Sequence, residues 1–216
     1  KHRSVFITGG GSGIGASLVR HFAGQGSKVA FVDIAVAPSR QLVDEIAATG
    51  DPKPLFIECD LRDIEALRQA IREAADAHGP ITVLVNNAAH DERHKVAETT
   101  VAYWDDRMAV NLRHMVVLSR LAQPHLKTRG GGSIILMASI SALRGNGAIS
   151  AYALAKAGVA QLARNLAVEW GPDNIRCNAI APGFTLTPAG QATPREVQES
   201  FLSHTLTPYL GQPEDI

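Results

Sequence analysis

The sequence predicts an α/β protein in which one parallel sheet is wound with helices on both faces. Three observations predict it. Short apolar runs alternate regularly with helical patterns along the 216 residues, and such alternation builds parallel sheets. The first apolar run passes straight into a glycine cluster and then a helix. No internal repeat or low-complexity linker divides the chain, and its length suits a single domain with a sizeable core.

The elements follow in order. Strands are expected near 4–8, 28–33, 54–59, 81–86, 132–138 and 175–180, and helices near 13–25, 39–49, 63–78, 100–128, 150–170 and 194–204. Val5 to Ile7 reads as a strand buried on both faces. Beyond the turn, Leu18, Val19 and Phe22 share one helical face. Gly130-Gly131-Gly132 is a turn feeding the fifth strand rather than a boundary.

The turn between the first strand and helix, Thr8-Gly9-Gly10-Gly11-Ser12-Gly13-Ile14-Gly15, carries chemistry. A strand, a glycine-rich turn and a helix N-terminus form a phosphate-binding device, because backbone N–H groups and the helix dipole face the anion. Glycine is needed where the backbone must approach a pyrophosphate or take positive φ. Asp33 closes the second strand, about 20 residues beyond the turn, where an acidic residue accepts hydrogen bonds from an adenosine ribose. A carboxylate there repels the 2′-phosphate of NADP, so NAD is the expected cofactor. Arg40 lies in the next helix and is not counted as a phosphate clamp.

Tyr152 and Lys156 stand four residues apart in Ser150-Ala-Tyr152-Ala-Leu-Ala-Lys156, one helical turn. A cation fixed beside a phenol favours the phenolate and lowers the Tyr pKa, which makes Tyr152 a candidate proton donor and acceptor. Ser139 ends the run Ser133-Ile-Ile-Leu-Met-Ala-Ser139, thirteen positions before Tyr152. A hydroxyl at a strand's C-terminal edge lies where open α/β sheets bind ligands. Spacing alone does not separate Ser139 from Ser141.

These residues resemble the short-chain dehydrogenase/reductase family, whose fold is a Rossmann-type doubly wound sheet in three layers. The family's T-G-x-x-x-G-x-G motif is met by Thr8, Gly9, Gly13 and Gly15, and its N-N-A-G motif by Asn86-Asn87-Ala88-Ala89, with Ala in the last place. Its S-x12-Y-x3-K signature is met by Ser139, Tyr152 and Lys156, which selects Ser139 over Ser141. The family's helix-borne asparagine matches Asn111, its P-G-x-x-x-T segment matches Pro182-Gly183-Phe184-Thr185-Leu186-Thr187, and its acidic residue near adenine matches Asp60, followed by Leu61. The resemblance covers nearly the whole chain.

The resemblance implies an NAD-dependent oxidoreductase that transfers hydride between a secondary alcohol or hemiacetal and the nicotinamide. It places the cofactor against Gly9, Gly11, Ser12, Gly13, Ile14, Gly15, Asp33, Asp60, Leu61, Asn87, Ala88, Tyr152, Lys156, Pro182, Gly183, Thr185 and Thr187. Tyr152 would exchange a proton with the substrate oxygen, Ser139 would fix that oxygen, Lys156 would bind the nicotinamide ribose and lower the Tyr152 pKa, and Asn111 would hold a water leading to solvent. Thr8 is expected to stabilise the glycine turn.

The loop after the fourth strand reads Ala88-Ala89-His90-Asp91-Glu92-Arg93-His94-Lys95. It is crowded with donors and acceptors. With Tyr103-Trp104-Asp105-Asp106-Arg107 and Asn111-Leu112-Arg113-His114 it resembles the sugar 1-dehydrogenase branch of the family. His90, Asp91 and His94 are therefore the candidate substrate contacts, and a sugar is the candidate substrate. The competing reading of the loop is a solvated charged surface. The helix near 194–204 is expected to act as a lid.

Composition bounds the alternatives. The formal net charge is +0 and the pI about 7.3, which gives no footprint for nucleic acid. No apolar run approaches the roughly 18 residues of a membrane span, and no signal peptide is visible. Cys59 and Cys177 match no metal or redox spacing and read as buried reduced thiols of a cytoplasmic protein. His2, His21, His78 and His125 show no ligand spacing, and no metal is expected. The competing functions are a 3-oxoacyl-carrier-protein-type ketone reductase, which Asp33 disfavours, and a non-catalytic NAD-binding scaffold.

Two further expectations come with the resemblance. Similar proteins continue past Gln212-Pro213-Glu214-Asp215-Ile216 through a helix, a last strand and a glycine-containing tail, so the sheet of this chain is expected to lack its last strand. Helices 100–128 and 150–170 pair across a two-fold axis in the family, which implies a homodimer or homotetramer. Ala155, Gly158, Ala160 and Ala163 give the second helix a small-residue face, available either to a partner helix or to the sheet.

Overall fold

The computed structural model describes residues 3–145 and 147–216; the expectation for His2 lies outside them. Six parallel strands form one sheet in the order β3-β2-β1-β4-β5-β6. They are β1 Ser4–Thr8, β2 Lys28–Asp33, β3 Leu55–Glu58, β4 Val83–Asn86, β5 Gly132–Met137 and β6 Ile175–Ile180. All five residues of β1 are buried. Phe6 points into one core with Leu84, Ile134 and Leu136, whereas Val5 and Ile7 point into the other with Val29, Phe31 and Val85. That is the period-2 alternation of a strand covered on both faces.

Helices α1 (Gly13–Gly24) and α2 (Val36–Ala48) cover one face through Ala16, Val19, Leu42 and Ile46. Helices α3 (Ile64–His78), α5 (His114–Thr128) and α6 (Ser150–Trp170) cover the other through Leu67, Ile71, Met115, Leu118, Val159 and Ala163. Helix α3 is capped by Asp63, whose side chain accepts from the Glu65 and Ala66 amides. His21, His78 and His125 all fall at helix C-terminal ends.

Three expectations are corrected. Helix α2 starts at Val36 rather than near 39, because Pro38 falls in the first turn, where no N–H is needed. The single helix expected over 100–128 is interrupted. It comprises α4 (Val101–Met108), one π-helical turn at Ala109–Arg113, and α5. The segment after β6 contains an unexpected short helix, α7 (Pro188–Gln191), before α8 (Arg195–Leu202). Of the small-residue face, Ala155 and Ala163 are buried in the core and Gly158 faces Leu112 of the π turn, the packing given above as the alternative to a partner helix, while Ala160 is half-buried.

Candidate active site

The strand order reverses between β1 and β4, so a crevice opens at their C-terminal ends, where such sheets bind ligands. The glycine turn lies there. The Thr8 hydroxyl accepts from the Asn87 and Ala88 amides, both at 3.0 Å. The Asn87 side chain donates to the Thr8 and Gly9 carbonyls, both at 3.1 Å. Thr8 and Asn87 thus lock the turn from β1 to the start of the loop after β4. Gly9 has φ +66° and Gly13 φ +52°, and a Cβ on Gly15 would strike the Gly9 carbonyl.

These residues fit a dinucleotide. Ser12 stands at the N-cap of α1 but makes no side-chain cap, leaving first-turn amides for an anion. A Cβ on Gly11 would run into Ser39 and reach 3.0 Å from Asp33, so the turn presents backbone only. The Asp33 carboxylate accepts from Gly11 N at 2.8 Å and Ala35 N at 2.9 Å, which fixes it at the end of β2. Thr187 caps α7 through the Gly190 amide, and its methyl would sit 3.0 Å from a Cβ on Gly13, which brings the segment after β6 against the glycine turn. Pro182 O accepts from Ile140 N at 3.0 Å. Thr185 bridges to Gly211. Asp60 is engaged by Arg62 at 3.2 Å, and Leu61 is buried in the core.

Ser139, Tyr152 and Lys156 come together at the end of β5 and the first turns of α6. The Ser139 hydroxyl accepts from Ser141 N at 3.1 Å and lies near enough to the Tyr152 phenol to favour the phenolate. Lys156 is 1 % exposed. Its Nζ donates to Met137 O at 2.5 Å and lies 5.6 Å from the centre of the Tyr152 ring. Lys156 is not among the groups that move the Tyr152 pKa. Burial dominates and pushes the phenol up, with the Asp91 carboxylate adding to the rise. Burial also pulls Lys156 down to about 7, opposed by Asp91.

Asn111 sits inside the π turn, fully buried. Its Oδ1 accepts from His90 N at 2.8 Å and its Nδ2 donates to His90 O at 2.9 Å. The amide expected to hold a water therefore clamps the backbone of the loop after β4. The extra residue of the π turn is what a regular helix could not supply at this point.

Asp91, Glu92, Arg93 and Lys95 of the loop are exposed, and the ordered charges lie beside it. The Arg107 side chain is 8 % exposed and bonds Nδ1 of His90 and the Asp106 carboxylate. Asp106 in turn accepts from Arg62 at 2.6 Å. A chain of charge-assisted contacts thus runs from Asp60 to His90. The His94 ring lies between the Tyr103 hydroxyl and the Ala151 amide, so both of its nitrogens are engaged. Of the three loop residues expected to meet substrate, Asp91 is the one whose charge is felt by both Tyr152 and Lys156. Sequence reasoning gave no role to Arg107 or Tyr103. The available signal was their helical spacing, one turn apart and facing the loop.

Among the described residues no group of three potential ligands could hold a metal ion, and no helix is long and apolar enough to cross a membrane.

This arrangement has close counterparts. A family model described as short chain dehydrogenase matches residues 3–198. A probable galactose dehydrogenase of Rhizobium meliloti is 48% identical over 187 residues, 87% of this chain and 73% of the relative. A D-xylose 1-dehydrogenase of Caulobacter vibrioides is 47% identical over the same shares. Among solved structures, 7 alpha-hydroxysteroid dehydrogenase complexed with NADH and 7-oxo glycochenodeoxycholic acid superposes with TM-score 0.93 at 33% identity, covering 98% of this chain and 82% of that one. The chain belongs to the short-chain dehydrogenase family. It is an oxidoreductase acting on CH–OH groups with a nicotinamide cofactor.

Proposed function

We propose that this enzyme oxidises a sugar at a CH–OH carbon, using NAD. The observation that carries the reading is the likeness, over most of the chain, to a probable galactose dehydrogenase and a D-xylose 1-dehydrogenase. Asp91 supports it, because its charge bears on both Tyr152 and Lys156 and a carboxylate there would accept hydrogen bonds from sugar hydroxyls. The NAD preference rests on the Asp33 carboxylate, which two backbone amides hold in place.

Bound NAD would supply the hydride-accepting carbon and a positive ring charge. The substrate C–H pair would leave as hydride, and the hydroxyl proton would pass to Tyr152. Ser139 would hold the substrate oxygen and favour the ionised phenol. Lys156, on the same helical face, would hold the nicotinamide ribose and pass protons onward, because its pKa near 7 leaves it able to gain or lose one at neutral pH. Asn111 would keep the His90 backbone, and with it the substrate loop, in register.

The assembly we propose is a homodimer or homotetramer through α5 and α6, supported by Val116, Leu154 and Val168 exposed on these helices. Buried, free Cys59 and Cys177 support a cytoplasmic setting. The test is absorbance at 340 nm, followed as reduced-dinucleotide formation across aldoses, polyols and simple secondary alcohols with NAD and NADP in parallel, and as NADH or NADPH consumption with a 3-oxoacyl thioester. Turnover of an aldose with NAD is expected. Turnover only of 3-oxoacyl thioesters with NADPH would replace the reading.

A further inference from the structure

Helix α6 begins without a cap of its own. Ile149 occupies the N-cap position and offers no side-chain acceptor. The Ala151 N–H, an orphan of the first turn, instead finds Nε2 of His94 at 3.2 Å, 57 residues earlier in the chain. The Nδ1 of the same ring lies 2.8 Å from the Tyr103 hydroxyl and 3.3 Å from Glu92 O, and that hydroxyl lies 3.2 Å from Glu92 O.

One proton arrangement satisfies every contact. Ala151 N–H donates to Nε2, Nδ1–H donates to the Tyr103 oxygen, and the Tyr103 O–H donates to the Glu92 carbonyl. This is a neutral imidazole in the Nδ1–H form. A doubly protonated ring would point N–H at N–H and place a cation at the positive end of α6. The ring is also held mechanically. It packs on Tyr103 with centroids 4.4 Å apart, and Arg107 lies over Tyr103 at 5.3 Å. The backbone joins in, because His94 N donates to Ala148 O at 2.8 Å and His94 pairs with Ile149 in a short parallel bridge.

We propose that His94 is a positioning residue, a remote cap that ties the loop carrying Asp91 to the first turn of α6 and so sets the Tyr152 phenol against the substrate loop. The link is short: Tyr152 follows Ala151, and Asp91 stands three residues before His94. The proposal rests on the reading of Tyr152 as the proton-transfer group, but its first test does not.

That test is ¹⁵N NMR of the His94 ring in the wild-type, full-chain protein at neutral pH without substrate. The expected signature is a protonated Nδ1 and an unprotonated Nε2. A protonated Nε2 overturns the cap, whatever the enzyme's substrate proves to be. His94→Phe keeps an aromatic ring on Tyr103 and removes both hydrogen bonds, and His94→Gln can return an acceptor to Ala151. In His94→Phe, exchange of the Ala151 and Tyr152 amides should quicken about tenfold, as for a lost N-cap. The turnover number should fall by a similar factor while the KM for the dinucleotide stays put, and His94→Gln should recover both. Unchanged Ala151 exchange in His94→Phe refutes the cap. Faster exchange with an unchanged turnover number refutes the positioning role. If Tyr152→Phe retains full turnover, the proton-transfer reading fails while the ring and exchange signatures still stand.

Discussion

Lys156 Nζ donates to Met137 O at 2.5 Å and stands 5.6 Å from the centre of the Tyr152 ring. A cation that is 1 % exposed with one carbonyl partner is costly in the free protein, and burial accordingly pulls its pKa from 10.5 to about 7. The sign follows from linkage. Above 10.5 the amine is neutral in both folded and unfolded states and costs nothing as a charge. As pH falls from 10.5 towards 7 the unfolded chain binds the proton first and stability is lost, and below about 7 the full cost remains. Lys156→Met should therefore raise the stability of the cofactor-free protein at pH 6 by about 1–4 kcal/mol, a gain that shrinks as pH rises through the window, while turnover collapses. Urea titrations of both proteins at pH 6 and pH 9 check it. A variant less stable than wild type at pH 6 contradicts the argument.

Tyr152→Phe should lower turnover by about 10²–10⁴-fold while the dinucleotide still binds, measured by NADH fluorescence titration. Burial raises the phenol's pKa, so the ionised form that accepts a proton accumulates on the alkaline side. Alcohol oxidation should rise with pH above neutrality, and carbonyl reduction, which needs the protonated form, should fall. Ser139→Ala removes the contact that favours the phenolate, so it should move the rising limb of the oxidation profile to higher pH. A limb that stays in place would mean that Ser139 does not act on Tyr152.

His114 is fully buried, and neither ring nitrogen makes a hydrogen bond of normal geometry. Burial, and secondarily the nearby Lys156 charge, hold its pKa down to about 3 from 6.5, with the Val110 and Ala109 carbonyls giving weak opposition. The folded ring stays neutral where the unfolded one is charged, so its contribution is complete above 6.5 and is lost as pH falls towards 3. The slope is up to about 1.4 kcal/mol per pH unit. His114→Met keeps an apolar filling without a titrating group. Chemical denaturation between pH 4 and 7 should show the wild type losing stability relative to the variant as the solution is acidified, and parallel curves would refute it.

The alternating elements were legible because their physics is local. Strands covered on both faces read as unbroken apolar runs, and Gly9, Gly13 and Gly15 mark a turn that admits backbone only. The π turn at Ala109–Arg113 was not legible, because one inserted residue leaves the apolar pattern of a long helix intact. The start of α2 was misplaced because Pro38 looks like a stop and is in fact a first-turn residue. Within the site, the residues that meet were visible from spacing, but their electrostatics were not. The sequence shows that Lys156 is one turn from Tyr152, whereas desolvation, which outweighs that neighbour, depends on everything packed around them. His94 and Asn111 show the same limit. Their polar atoms were expected at substrate or water, but Ala151 and His90 backbone groups, distant in sequence, occupy them.

The proposed reading gives Asp33 two separable duties. Its oxygens hold the Gly11 and Ala35 amides at 2.8 Å and 2.9 Å, and in the proposed NAD-dependent reading its charge would oppose a 2′-phosphate on the adenosine ribose. Asp33→Asn keeps one acceptor for these amides and removes the charge. If the carboxylate's charge sets the cofactor preference, the ratio of kcat/KM for NADP to that for NAD should rise by at least about tenfold, or about 1.4 kcal/mol, with little change in melting temperature. If hydrogen bonding to the turn is its main duty, both cofactors should weaken together and the protein should melt earlier. Asp33→Ala, which removes both functions, should combine the two effects. Steady-state kinetics with each dinucleotide, beside a thermal melt of each variant, separates the charge from the scaffold.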